Sequence, residues 1–294
     1  MPKATNDGVE LEWEARGDAG APTVLLIMGL GGQMTRWSDE FVDALVAHGL
    51  RAIRFDNRDV GLSTKLDAAG PANLTAIGAK LMIGLKPKTA YTLEHMAADA
   101  VAVLDAAGVD KAHVVGASMG GMIAQLVAIE HPERVLTLTS IMSSTGNPAL
   151  PRATAEANAV LMSRPTSTDM EALVAHGVKA AKVIGSPGYP ADDAVLAERI
   201  RSDAARSHYP VGFSRQLAAI MANGDRRKRL AGIKAPTLVI HGTDDPLVPV
   251  EAGRDTAANI PGARLVEIPG MGHDLPTPLI GRITDLIASH AKAA

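Results

Sequence analysis

Three short stretches of this chain carry side chains that can do chemistry together. The first is Gly116-Ala117-Ser118-Met119-Gly120, a Gly-x-Ser-x-Gly pattern. A serine hydroxyl is a weak nucleophile; it needs a base to take its proton, and the base needs an acid to orient it. The second stretch, Gly242-Thr243-Asp244-Asp245-Pro246, offers two carboxylates. The third, Gly270-Met271-Gly272-His273-Asp274, sets an imidazole in a glycine-flanked loop. Serine, then aspartate, then histidine is the chain order that accompanies a nucleophile elbow, a sharp strand-to-helix turn that exposes the serine. Glycines flank Ser118 because such a turn leaves no room for side chains there.

The other histidines fit this role less well. Of the nine, His48, His95, His131, His176 and His290 fall in predicted helices or at their ends, as surface residues. His113 and His241 fall in predicted strands, as core residues, and His208 falls where it can reach a pocket. The loop after Ile240 leaves Asp244 and Asp245 both open as the acid, because a strand pattern does not fix a loop position to one residue.

Attack on a carbonyl also builds negative charge that backbone N–H groups must meet. The N–H of Met119, directly after the nucleophile, is one expected donor. The loop Gly29-Leu30-Gly31-Gly32 supplies the other, at Leu30, where glycines let backbone come close to a substrate.

Elements that would position these groups can be read around them. Ala112 to Val115 is a short apolar run rich in β-branched residues, hence a buried strand. Behind Ser118, Met122, Ile123, Leu126 and Ile129 recur at helical spacing through Glu130. Val9–Ala15 alternates like a half-exposed edge strand, and Thr23–Met28 is continuously apolar, as a strand buried on both faces must be. Further strands are predicted at Arg51–Phe55, Val135–Met142, Pro236–His241 and Ala263–Ile268. Helices are predicted after Ser38, from Thr92 to Gly108, over Glu251–Ile260 and over Pro276–Ala291. The span Lys65–Ala90, with Leu81-Met82-Ile83, reads as irregular.

Alternating strands and helices predict an α/β fold with a mostly parallel, doubly wound sheet. Residues 145–232 break the alternation: Ala153–Ser163, Asp169–Ile184, Asp192–Ser207 and Phe213–Ala222 read as helices with no strand among them. This predicts a core of residues 1–144 and 233–294 and a helical lid, 145–232, inserted after the sixth strand. The candidate serine, acids and histidine all fall at carboxyl ends of strands, where open α/β sheets place their ligands.

Composition narrows the partners. The 294 residues carry a net charge of −3, with no basic stripe of the kind nucleic acid requires. The run Arg226-Arg227-Lys228-Arg229 is short and reads as a solvated helix face. With no cysteine, disulfides are excluded. No apolar run reaches the length of a membrane span, and the first residues lack the apolar region of a signal peptide, so a cytoplasmic protein is expected. No His/Asp/Glu cluster has ligand spacing and no phosphate-cradling Gly-x-x-x-x-Gly-Lys is present, so no metal or cofactor is expected.

With these residues in hand, the chain resembles the α/β-hydrolase superfamily over nearly its whole length. Within it, the chain is similar to the LipG-like and aclacinomycin-methylesterase-like serine esterases. The resemblance rests on Leu25–Gly31, Asp56-Asn57-Arg58-Asp59-Val60-Gly61-Leu62-Ser63, Val114–Gln125, Ile184–Pro190 and Gly270–Pro276. Superfamily members carry the acid at the fourth position of a Gly-x-x-Asp loop, which implies Asp245. Two departures stand out. Met28 sits where many relatives have histidine, and Asp59 sits where many have glycine.

The resemblance implies cleavage of a carboxylic ester by Ser118, His273 and Asp245 through an acyl-enzyme. The same residues also serve perhydrolases, thioesterases, lactonases and C–C bond hydrolases, and a non-catalytic ligand receptor on this fold is the remaining alternative. Trp37, Met82, Met162, Tyr189 and His208 are expected to line a pocket for a moderately apolar small-molecule ester.

Overall fold

A computed structural model describes residues 2–293. Its eight strands are β1 (Lys3–Asn6), β2 (Val9–Arg16), β3 (Thr23–Ile27), β4 (Arg51–Phe55), β5 (Ala112–Ala117), β6 (Val135–Ile141), β7 (Thr237–Gly242) and β8 (Arg264–Ile268). They form one sheet in the order β1-β2-β4-β3-β5-β6-β7-β8. β2 pairs antiparallel with β1 and with β4; every other neighbouring pair is parallel.

The helices are α1 (Asp39–Ala47), α2 (Leu74–Met82), α3 (Leu93–Ala106), α4 (Met119–Glu130), α5 (Ala155–Met162), α6 (Met170–Ile184), α7 (Asp193–Arg206), α8 (Pro210–Asn223), α9 (Arg227–Leu230), α10 (Val250–Asn259) and α11 (Ile280–Lys292). Ser38 caps α1 by accepting the Phe41 N–H, and Thr92 caps α3 in a reciprocal pair with His95.

Every residue of β3 is buried, and alternate side chains serve opposite faces. Leu25 and Ile27 pack with Met96 and Ala100 of α3 and Ile123 of α4. Val24 and Leu26 pack with Phe41 and Leu45 of α1 and Ile283 and Ile287 of α11. Helices thus cover both faces, which is why the central strands read as unbroken apolar runs.

Three features differ from the sequence reading. A strand, β1, precedes the first one read, the span read as irregular holds α2, and the basic run is not wholly solvated. Arg226 is 1% exposed. Its Nη1 donates to Asn223 Oδ1 at 2.6 Å, its Nε to Gln125 Oε1 at 3.2 Å and its Nη2 to the carbonyl of Ser144. Burial pushes its guanidinium down to about 10. The residue stitches the end of the helical insertion to α4, so its neighbours in sequence are a poor guide to its surroundings.

Candidate active site

The sheet order reverses direction at β3: the chain moves outward to β4 and then returns to β5 on the other side. The carboxyl ends of β3 and β5 therefore open a crevice between them. Ser118 follows β5 there, with φ 56° and ψ −121°, outside the range that most side chains adopt. Its N–H donates to the Ile141 carbonyl at 2.9 Å, and its own carbonyl accepts the Ser143 hydroxyl at 2.7 Å. These bonds hold the strained residue in place. A Cβ on Gly116 would lie 2.0 Å from the Gly120 oxygen, and one on Gly120 would lie 2.0 Å from the Ile27 oxygen. Both positions exclude any side chain.

His273 stands in the loop after β8, with its side chain 7% exposed. Its Nε2 is 2.9 Å from Ser118 Oγ and its Nδ1 is 2.7 Å from Asp245 Oδ2. Asp245, in the loop after β7, uses Oδ1 to accept the N–H groups of Leu247 at 2.9 Å and Val248 at 2.8 Å. One carboxylate oxygen is thus held by its own loop and the other is left for the imidazole. Asp244 is spent differently. Its Oδ2 accepts the Thr243 hydroxyl and the Gly270 N–H, tying the acid loop to the histidine loop.

Beneath Asp245, His241 is fully buried, and burial lowers its pKa. Its Nε2 is 2.8 Å from the Val248 carbonyl. A carbonyl accepts only, so Nε2 carries the proton and donates it. This neutral ring braces the turn that orients Asp245.

Gly29, just before Leu30, comes close to the serine, where a Cβ on it would lie 3.0 Å from Ser118 Cβ, and Met119 follows the serine in the chain; Leu30 and Met119 are the expected oxyanion donors. Neither N–H has a backbone acceptor among the described residues, whereas the neighbouring Gly31 N–H donates to Gln216 Oε1 at 2.8 Å and that of Gly32 to the Gly29 carbonyl. Gln216, on α8 and fully buried, also donates Nε2 to the Arg58 carbonyl at 2.9 Å. Asn57 Nδ2 donates to the Met28 carbonyl at 2.9 Å. The glycine loop is therefore pinned from two sides while Leu30 N–H stays open. Glycine spacing points to the loop in sequence, but nothing local points to Gln216, which lies 186 positions from Leu30.

The helical insertion grips these loops. The His273 N–H donates to the Ile184 carbonyl at 2.7 Å, that of Gly272 to Ser186 Oγ at 2.9 Å and that of Gly188 to the Gly270 carbonyl at 2.9 Å. Ser186 Oγ donates in turn to Asp274, whose carboxyl burial pushes up. Asp59, without a role in the sequence reading, receives a bidentate bond from Arg215 of α8 at 2.6 and 2.8 Å. Burial alone would raise its pKa, but the bonds from Arg215 and from the Leu66 N–H outweigh it and hold the carboxyl low. Asp56 similarly meets Arg206 of α7 at 2.8 Å.

A groove of about 300 Å³ lies between insertion and core. It is lined by Gly31, Val60 and Gly61 from the core and by Met162, His208 and Phe213 from the insertion. It reaches the serine region at Gly31, next to Leu30; Ser118 and His273 are not part of its wall. Of the expected lining residues, Met162 and His208 lie on it. Trp37 does not: it is fully buried, its ring 4.9 Å from that of Phe41 in the core. Tyr189 packs on the core cluster around Met271, and Met82 is 84% exposed at the tip of α2. An apolar side chain in the sequence does not say whether it faces core, groove or water.

The chain belongs to the α/β hydrolase fold family, whose model matches residues 22–276. It is 33% identical to rhodomycin D methylesterase DnrP of Streptomyces peucetius, over 99% of this chain and 97% of that protein. Among solved structures it resembles a meta-cleavage product hydrolase from Pseudomonas fluorescens IP01, with a TM-score of 0.75, 20% identity and coverage of 100% and 98%. It also resembles the enol-lactonase from Burkholderia xenovorans LB400, with a TM-score of 0.72, 24% identity and coverage of 99% and 100%. These two carry the likeness of fold alone.

Proposed function

We propose that this protein is a serine hydrolase that cleaves a carboxylic ester through an acyl-enzyme. The observation that carries the reading is the continuous hydrogen-bonded line from Asp245 through His273 to Ser118. In it, His273 Nδ1–H donates to Asp245, which leaves Nε2 free to accept the Ser118 proton. As the proton leaves, Oγ attacks the ester carbonyl carbon. The resulting oxyanion meets the N–H groups of Leu30 and Met119, each worth about 3 kcal/mol in the transition state. The imidazolium returns its proton to the departing alkoxy oxygen as the C–O bond breaks, and the acyl group stays on Ser118. Water then gives a proton to His273 and attacks the acyl carbon; collapse of that intermediate releases the acid and restores the serine hydroxyl. Asp245 holds the imidazole's orientation through both steps.

The likeness to a methylesterase supports an ester linkage with a small alcohol as leaving group. The groove at Gly31 would then take the acyl part, and its mix of Met162 and Phe213 with His208 suits a moderately apolar molecule bearing some polar groups. In this reading residues 145–232 are a cap domain over a core of 1–144 and 233–294.

The test is hydrolysis of p-nitrophenyl esters of increasing acyl length, with mass spectrometry after exposure to a fluorophosphonate. Wild type is expected to turn over and to be labelled on Ser118. Ser118→Ala should lose on the order of 10⁶ in turnover and all labelling. A labelled but idle wild type would move the chemistry to thioesters or β-diketones; turnover by the variant near wild type would end the mechanism.

A further inference from the structure

Between Asp67 and Glu94 the chain has no acidic residue and three lysines, Lys80, Lys86 and Lys88, although the whole chain carries −3. α2 lies in this span. Ile77 is its one buried side chain, and Gly78 faces Met221 of α8. Past that contact the helix runs out into water. Leu81, Met82, Ile83 and Leu85 are 38, 84, 72 and 55% exposed. Single exposed apolar side chains are ordinary, but a contiguous group marks a contact surface. No helix among the described residues is long and apolar enough to cross a membrane, so this tip is a surface feature.

Charge decides what that contact is. The three lysines are exposed and make no ion pair among the described residues, whereas Lys3 and Lys182 pair with Glu10 and Asp193. Below the tip a cleft of about 290 Å³ is lined by Lys80 and Lys88 and by Arg215, whose charge Asp59 already meets, with no carboxylate in its wall. A second copy docked here by two-fold symmetry would set the same lysines against each other. A surface with an apolar interior and anionic head groups complements both parts: apolar tips enter the acyl boundary while lysine stems stay among them and their ammonium groups reach phosphate.

We propose that the α2 tip and its basic cleft form a docking surface for an anionic phospholipid bilayer. Leu74, at the start of α2, lines the groove between insertion and core, so docking holds that groove beside the membrane. The docking itself does not depend on the ester-hydrolase reading, and its test needs no turnover.

The experiment is vesicle flotation of the full chain at low salt, with phosphatidylcholine alone or mixed with phosphatidylglycerol. Wild type is expected to float with the mixed vesicles and not with phosphatidylcholine. Each lysine near such a surface is worth about five-fold in partitioning, so Lys80→Gln/Lys86→Gln/Lys88→Gln should lose on the order of 100-fold. Met82→Glu/Ile83→Glu should also abolish flotation. These side chains are exposed, so both variants should melt with wild type, and melting curves check it. The proposal is overturned if wild type stays with the unbound protein, or if the variants float as well as it does. It is also overturned if light scattering shows a dimer that Met82→Glu/Ile83→Glu converts to monomer.

Discussion

Asp245 divides its two oxygens between structure and chemistry, and that division makes it a clean target. In Asp245→Asn the amide oxygen can still accept the N–H groups of Leu247 and Val248, so the loop should keep its shape. The amide nitrogen would then face His273 Nδ1 as a donor. That forces the proton to Nε2, which can no longer take the Ser118 proton. Turnover is expected to fall on the order of 10⁴ with the melting temperature unchanged; a loss below ten-fold in steady-state hydrolysis would show that the carboxylate does not set the tautomer. Ser118 and His273 were legible in sequence because the turns that carry them demand glycine. Asp245 over Asp244 came only from resemblance, since one step along a loop leaves the pattern unchanged. Arg215 and Gln216 were not legible: Asp59 stood out only as a departure from glycine, and nothing near it in sequence names the cation that meets it once it is buried.

Among elements, the joint between α8 and the loop after β4 holds a buried, bidentate ion pair. Arg215 and Asp59 are almost fully buried. Removing one partner strands the other, so Arg215→Met is expected to cost about 3–5 kcal/mol, and Arg215→Met/Asp59→Leu less. Urea unfolding of the two variants measures this, and equal losses would show that the pair is not the source. The sign of the pH effect follows from the low folded pKa of Asp59. Its contribution is complete above the ordinary carboxylate value near 3.9 and is lost as pH falls through the lower folded value. The acid limb of stability should therefore flatten in Asp59→Asn. β3, β5, α1 and α3 were legible because burial imposes period and caps impose chemistry. β1 has four residues and one partner strand, too short for a pattern. α2 escaped because it buries only Ile77, which leaves its other positions without periodicity.

At the scale of the whole molecule, the serine precedes the helical insertion in sequence while the acid and the histidine follow it. The insertion in turn holds the His273 loop through Ile184 and Ser186 and the glycine loop through Gln216. Insertion and core are thus expected to unfold together. Calorimetry should give one transition with equal calorimetric and van't Hoff enthalpies; two resolved transitions would show that they are separate units. The buried charges at this joint also bear on how such molecules diversify. Asp56 and Asp59 belong to the core, and Arg206 and Arg215, which meet them, belong to the insertion. Exchanging residues 145–232 for those of a relative without arginines at these two places would leave two carboxylates stranded in the interior. A transplanted insertion must therefore bring its own cations.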